Sequence, residues 1–240
     1  VGSHDTASAV AATPLKDREK SIYISTGTWC LLGMELDQPY INKESLEANF
    51  TNELGVKKKV RFLKNICGLW LIQECKRSWE KQGMDLTYDE IEEAAAQAGP
   101  ANFEIDPNDD KFLNPEDMPT AIRDYCRQTG QNIPGDYAQM ARGIYESLAE
   151  SYNELINRLE RMMDTSIETI NMVGGGIKDE LLCQFTANAT SRKVVTGPVE
   201  ATAIGNILVQ LMALGEIKNL KEGRKIVKKS VNLKEYFPVK

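Results

Sequence analysis

The chain has a single histidine, His4, in 240 residues. Without a second histidine there is no histidine-based zinc set, and no Ser-His-Asp arrangement is evident around it, so neither chemistry is expected. Cysteine is similarly sparse: Cys30, Cys67, Cys75, Cys126 and Cys183 are five, odd in number and never spaced as CxxC. Such usage points to reduced packing thiols in a cytoplasmic protein rather than a disulfide framework. No apolar run reaches membrane-spanning length, and the first residues resemble neither a signal nor a transit peptide. No long basic run offers a groove for nucleic acid, and the net charge of -6 is spread along the chain. There is no internal repeat and no low-complexity tract.

What is present suits a globular chain with a small, soluble partner. A hydrophobic content of 42% suffices for one large domain or two small ones. The chain opens on Val1-Gly2 rather than Met, which suggests a piece of a longer polypeptide.

The most informative stretch is Met172-Val173-Gly174-Gly175-Gly176, followed by an amphipathic run to Asn188. It reads as a buried strand leading through a triple-glycine turn into a helix, where a phosphate or nucleotide can approach exposed N–H groups. The same glycines would also serve a plain, tight connection. A second glycine turn, Ser25-Thr26-Gly27-Thr28, and an early Ser3-His4-Asp5-Thr6 strengthen the ligand reading.

The order of elements follows from periodicity. Ile22 to Ser25 and Thr28 to Gly33 read as a hairpin around Thr26-Gly27, with Gly27 taking positive φ. A third strand spans about Val60 to Leu63 and runs into Asn65. A helix then carries Ile66, Leu69, Trp70 and Trp79 on one stripe, with the polar Gln73 on that stripe too. Residues 85–164 read as a helical insertion. Its Met140, Ile144, Leu148, Leu155 and Leu159 form a stripe, and residues 105–110 and 113–115, rich in Pro, Asn and Asp, form an ordered loop. Thr169 to Val173 and Lys193 to Val195 are further strands, each followed by a helix. The second of these helices starts at Thr196-Gly197-Pro198 and closes at Gly215. The result is an α/β mixed sheet, in the element order of the ribonuclease-H-like lobe of actin, hexokinase and Hsp70.

Several motifs carry a closer likeness. Residues 2–9 (Gly-Ser-His-Asp-Thr-Ala-Ser-Ala), Ser25-Thr26-Gly27-Thr28-Trp29, residues 63–71 (Leu-Lys-Asn-Ile-Cys-Gly-Leu-Trp-Leu) and Val173-Gly174-Gly175-Gly176 resemble the FGGY family of carbohydrate kinases. The likeness continues through Asn49-Phe50-Thr51-Asn52-Glu53, Asn108-Asp109-Asp110, Phe112-Leu113-Asn114-Pro115 and Gly197-Pro198-Val199-Glu200-Ala201. It covers nearly the whole chain but only the second half of such a kinase, and some carboxy-terminal residues are also expected to be missing. The resemblance implies the C-terminal, ATP-binding lobe, whose partner is an N-terminal lobe of the same polypeptide.

By that resemblance Asp5 is the general base facing the attacking sugar hydroxyl, and His4, Thr6 and Asn65 contact the sugar. Spacing alone favours a plainer role, Asp5 as the cap of a helix beginning at Thr6, and it is the flanking likeness that reverses this. The likeness further implies ATP contacts from Gly27, Thr28, Gln73, Gly174, Gly175 and Gly176, with ATP and Mg²⁺ as cofactors. No residue of the chain is assigned as a metal ligand. The implied acceptor is a ketose, L-rhamnulose first, with L-fuculose or D-xylulose as alternatives. A non-catalytic nucleotide switch of the actin and Hsp70 type is the reading from a different class. The isolated lobe is expected to be inactive, because sugar and ATP would meet only between two lobes. Leu54 departs from an Asn-Glu-Gly-Gly pattern, and Trp29, Trp70 and Trp79 are assigned to packing. The region from Gly99 to Pro134 either lines the sugar cleft or braces the insertion.

Overall fold

The computed structural model describes Gly2 and residues 4–239, so Ser3 of the early motif lies outside the described residues. A seven-stranded mixed sheet organises the chain. Its strands are β1 (Ser21–Ser25), β2 (Trp29–Leu36), β3 (Thr51–Leu54), β4 (Val60–Cys67), β5 (Thr169–Val173), β6 (Lys193–Thr196) and β7 (Lys234–Tyr236), in the order β3-β4-β2-β1-β5-β6-β7. β1, β5 and β6 run parallel, and the other neighbours are antiparallel.

Period-two alternation sorts the side chains between two helical layers. Ile22 and Ile24 of β1 enter the large core with the long helix α6 (Tyr137–Met163), whereas Tyr23 between them packs on Val10 on the opposite face. Also on the large-core side are α3 (Trp70–Lys81), α4 (Tyr88–Gln97), α5 (Met118–Gln128) and α7 (Glu180–Thr190). A short α2 (Lys43–Glu47), with a capping box between Asn42 and Ser45, precedes β3.

The second face carries α1 (Asp5–Ala12), α8 (Ala201–Leu214) and α9 (Leu220–Ser230). α1 is rich in alanine, and Ala7 to Ala12 are all buried. The contact is close because Gly205 of α8 lies against the Ser8 carbonyl, where any Cβ would overlap backbone. A buried ion pair then fastens α9 across this layer. Arg224 reaches Glu35 of β2 at 2.7 Å and donates to the Val10 and Ala11 carbonyls at 2.9 and 3.3 Å. These carbonyls belong to the last turn of α1, where intrahelical partners run out and a cation is favoured.

Several expectations from sequence are corrected. β4 continues through Asn65 and Ile66 to Cys67, so these residues are extended and α3 starts only at Trp70. Their apolar spacing suits a strand buried on both sides as well as a helix. The edge strand β3, α2, α9 and β7 were not foreseen. β3 is three half-covered residues and the exposed Leu54, too short and too polar to show alternation. The triple glycine does not open α7 directly: a 3₁₀ turn over Gly175–Lys178 intervenes, and Asp179 caps α7 through the Leu182 N–H at 2.9 Å. α8 begins at Ala201, not Thr196, because the Gly197 N–H is drawn to the Met172 carbonyl and Gly197 has φ of +117°. Gly215 does close α8, with φ of +83°.

The Arg224–Glu35 pair gives a stability test. Arg224→Met leaves the Glu35 carboxylate buried with its main partner gone, and the expected cost is ~3–5 kcal/mol. Urea unfolding of the variant should show the unfolding free energy fall by that amount, through a lower midpoint with the slope unchanged.

Candidate functional site

Three connections meet at the carboxyl ends of β1 and β5, the end of an open α/β sheet where ligands settle. The Thr26 N–H donates to the Val173 carbonyl at 2.7 Å, and the Gly176 N–H to the Thr26 carbonyl at 3.0 Å. The glycine run wraps Thr26 so tightly that a Cβ on Gly174 would stand 2.7 Å from its carbonyl oxygen. One on Gly176 would stand 2.5 Å from its methyl group. Gly174 also has φ of +94°, which favours glycine there. Gly175 differs from both: it is exposed, and a Cβ there would meet nothing within 4 Å. Gly174 and Gly176 are thus packing glycines, and Gly175 is the one that faces open space.

The turn between β1 and β2 is held from the other side by the start of α3. The Leu69 N–H donates to the Gly27 carbonyl at 3.0 Å, and those of Gly68 and Trp70 to the Thr28 carbonyl at 3.2 and 3.1 Å. Gly27 is not in the left-handed region, contrary to the hairpin expectation, because the connection is a three-residue link pinned by α3 rather than a two-residue turn. Thr28 and Gln73 come together: their side chains share a 3.0 Å hydrogen bond. A polar amide on the inner face of α3 therefore has its partner in the turn.

The sugar-side residues named from sequence lie on the α1 face. Asp5 occupies the first position of α1, and His4, not Asp5, stands in the N-cap position, with no side-chain capping bond. Among the described residues the Asp5 side chain has no hydrogen-bond partner, so the backbone alone sets its place. The Asp5 carbonyl accepts from Thr202 of α8 at 3.4 Å. On β4, Arg61, Leu63 and Asn65 point to this same face by alternation: Arg61 bonds Thr6 at 2.7 Å, Leu63 packs on Val10, and Asn65 is exposed at the end of the row.

Sequence reasoning passed over Arg61. It is 1% exposed, and its guanidinium also holds Glu53 of β3 at 2.7 Å. A charged residue inside Val60-Arg61-Phe62-Leu63 was the available signal, since arginine is seldom fully buried without a partner. Trp29 also departs from its packing assignment. It is 46% exposed and stacks on Trp70 with ring centroids 6.5 Å apart, whereas Trp79 is buried in the core. The loop of residues 105–115 braces the β4–α3 junction: Asn108 accepts the Cys67 N–H at 2.8 Å, and Trp70 donates to the Phe112 carbonyl at 2.9 Å. A cavity of about 490 Å³ opens beside the glycine turn, lined by Ile177, Lys178, Pro198, Val199 and Ile204 among others.

The architecture and this convergence define a class, and comparison with known proteins gives its family. Residues 22–214 match the C-terminal domain of the FGGY family of carbohydrate kinases, and the chain belongs to that family. Within the family it is similar to the rhamnulokinase of Bacteroides thetaiotaomicron, 46% identical over 99% of this chain and 48% of that protein. The rhamnulokinase of Oceanobacillus iheyensis is 44% identical over 99% of this chain and 49% of its own length. The chain therefore spans about half the length of the curated relatives it matches. Among solved structures, the ligand-bound xylulose kinase of Lactobacillus acidophilus shares the fold, with a TM-score of 0.68 over 98% of this chain and 45% of that one, at 18% identity. The ribonuclease-H-like α/β architecture expected from element order is thus the one observed.

The glycine geometry predicts a graded series. Gly174→Ala and Gly176→Ala should each cost ~1–3 kcal/mol through overpacking against Thr26, while Gly175→Ala should stay within ~0.5 kcal/mol. Thermal unfolding of the three variants checks this.

Asp179 supplies a pH test. Burial pushes its carboxyl up to about 6, and nearby Glu92 adds in the same direction. A folded-state value raised above the unfolded one means stability that is present at low pH and is lost as pH rises through about 4 to 6. Asp179→Asn keeps a capping side chain without the titration. Its unfolding free energy relative to wild type should therefore grow by ~1–3 kcal/mol between about pH 4 and pH 7.

Proposed function

We propose that this chain is the C-terminal, ATP-binding lobe of a kinase that phosphorylates L-rhamnulose, with residues 85–164 as its helical insertion. The observation that carries the reading is the placement of Asp5: a carboxylate with no side-chain partner among the described residues, at the start of α1, on the sheet face that also presents Thr6 and Asn65. The likeness to rhamnulokinases over 99% of the chain supports the choice of sugar.

In this reading Asp5 accepts the proton of the attacking sugar hydroxyl as it bonds to the γ-phosphorus and the bond to ADP breaks. Phosphoryl transfer passes through a loose transition state, so little charge must be removed early. An ionised, aligned carboxylate suffices, and His4, Thr6 and Asn65 would hold the sugar in line.

On the nucleotide side, Thr28 and Gln73 act as a unit. The amide oxygen and nitrogen of Gln73 exchange places on a half-turn, an orientation assigned from its hydrogen bonds. When Gln73 donates to Thr28, the Thr28 proton is released for a phosphate oxygen. Gly175 offers backbone without a side chain to obstruct it, and the cavity beside Ile177 and Pro198 suits the adenosine moiety. Magnesium would arrive on the nucleotide, neutralising its phosphates, because this ion binds chiefly through phosphates and water rather than a protein cage. The five buried free thiols suit a reducing, cytoplasmic setting.

The decisive experiment measures ADP release by the full-length parent protein with Mg-ATP and a panel of ketoses. Release should require a ketose, with L-rhamnulose preferred, and Asp5→Asn should lower the rate ~10²–10⁴-fold. The 240-residue chain alone should not turn over, because the N-terminal lobe completes the sugar site. ADP release that ignores sugar would refute the kinase reading, and preference for another ketose would move the substrate.

A further inference from the structure

We propose that Arg61 is a positioning residue for phosphoryl transfer, setting the hydrogen-bond polarity of Thr6 and anchoring the α1 turn that carries Asp5. This rests on the kinase reading above. The guanidinium is fully buried and divides its two amino groups: one donates to Thr6 Oγ1 at 2.7 Å, the other to Glu53 Oε2 at 2.7 Å. Among the described residues its Nε is buried without a partner, as is the hydroxyl of Tyr23 on β1. An ion pair kept only for stability would be expected to fill those positions, since each unpaired buried group carries a cost.

Arginine has five donors and no acceptor, whereas a hydroxyl has one proton and two lone pairs. Thr6 therefore spends a lone pair on Arg61 and keeps its proton for another acceptor. Thr6 is half-buried beside Asp5, so that proton is available to a sugar oxygen. A sugar hydroxyl that accepts from Thr6 must point its own proton elsewhere, and the Asp5 carboxylate has only lone pairs to offer. Donation thus runs in one direction, from Arg61 to Thr6 to the sugar hydroxyl to Asp5. During transfer the sugar oxygen–phosphorus bond forms, the bond from phosphorus to ADP breaks, and the hydroxyl proton passes to Asp5. Glu53 fixes the fork: it is the direct β3 partner of Arg61 in the strand register. A lysine in its place would be a point charge without the geometry to hold Glu53 and Thr6 together.

The test is a double-mutant cycle in the full-length parent protein, using Thr6→Val, Thr6→Ser, Arg61→Lys and the Thr6→Val/Arg61→Lys pair. Readouts are kcat and KM for the ketose, KM for ATP, and the thermal midpoint. Thr6→Val and Arg61→Lys should each lower kcat/KM for the ketose ~10–100-fold, the scale of one hydrogen bond to a charged group, with KM for ATP unchanged. The pair should be little worse than either single variant, and Thr6→Ser should restore most of the loss. Additive losses, an undamaged Arg61→Lys enzyme, or a Thr6→Ser as poor as Thr6→Val would overturn the proposal while leaving the kinase reading intact. Should Arg61→Lys lower the midpoint strongly, the comparison of Thr6→Val with Thr6→Ser decides. A wild-type parent without ketose-dependent ADP release would overturn both.

Discussion

The structure depends on how closely α1 can lie against α8. An isolated eight-residue helix is too short to persist in water. α1 exists because it is pressed between the sheet and α8, and it reaches α8 because Gly205 leaves the Ser8 carbonyl uncovered. Two arginines then hold its ends. Arg224 takes the last carbonyls, complementing the negative end of the helix, and Arg61 takes Thr6 in the first turn. Both arginines are in turn paired to carboxylates of the sheet, Glu35 on β2 and Glu53 on β3. The helix is therefore indexed to the sheet at both ends, and its alanines allow that indexing without bulk.

A second abutment works on the same logic at the strand ends. Gly174 and Gly176 close around Thr26, joining the β1 exit to the β5 exit. Gly68 similarly lets the start of α3 fold onto the carbonyls of Gly27 and Thr28. Glycine is used in these places for contact between backbones rather than for pliancy, and the one glycine left free, Gly175, sits between two that are not. Rigid scaffolding thus surrounds the short stretch of exposed backbone that a ligand could meet.

Much of this was legible in the chain. β1, β2 and β5 follow from β-prone apolar runs beside glycine turns, and the closing role of Gly215 follows from its place after an apolar stripe. The turn of Thr26 to Thr28, the glycine run and Gln73 do meet at the carboxyl ends of β1 and β5, with Thr28 bonding Gln73 across 45 positions. What escaped reading has physical causes. Ile66 continues a strand rather than starting a helix because it pairs with Cys30 of β2, and Asn108, far along the chain, takes the Cys67 N–H. β3 and β7 are short edge strands whose pairing is fixed by their neighbours, not their composition. Arg61 was visible as a charge in an apolar strand, but its meaning lay in Thr6 and Glu53, contacts that only the fold brings about.

The division between the two faces of the sheet bears on how such a site could work. The turn residues Thr28 and Gln73 are fastened to α3 and the large core, whereas Asp5 rides on α1, whose layer is thinner and held chiefly by α8, α9 and the two arginines. The Asp5 side chain has no hydrogen bond of its own among the described residues, so its aim is inherited from the helix backbone. A carboxylate that must accept a proton only late in a loose transition state needs alignment more than an altered affinity for protons. An Asp at the first position of a helix clamped at both ends has that alignment, with neither carboxylate oxygen bonded among the described residues.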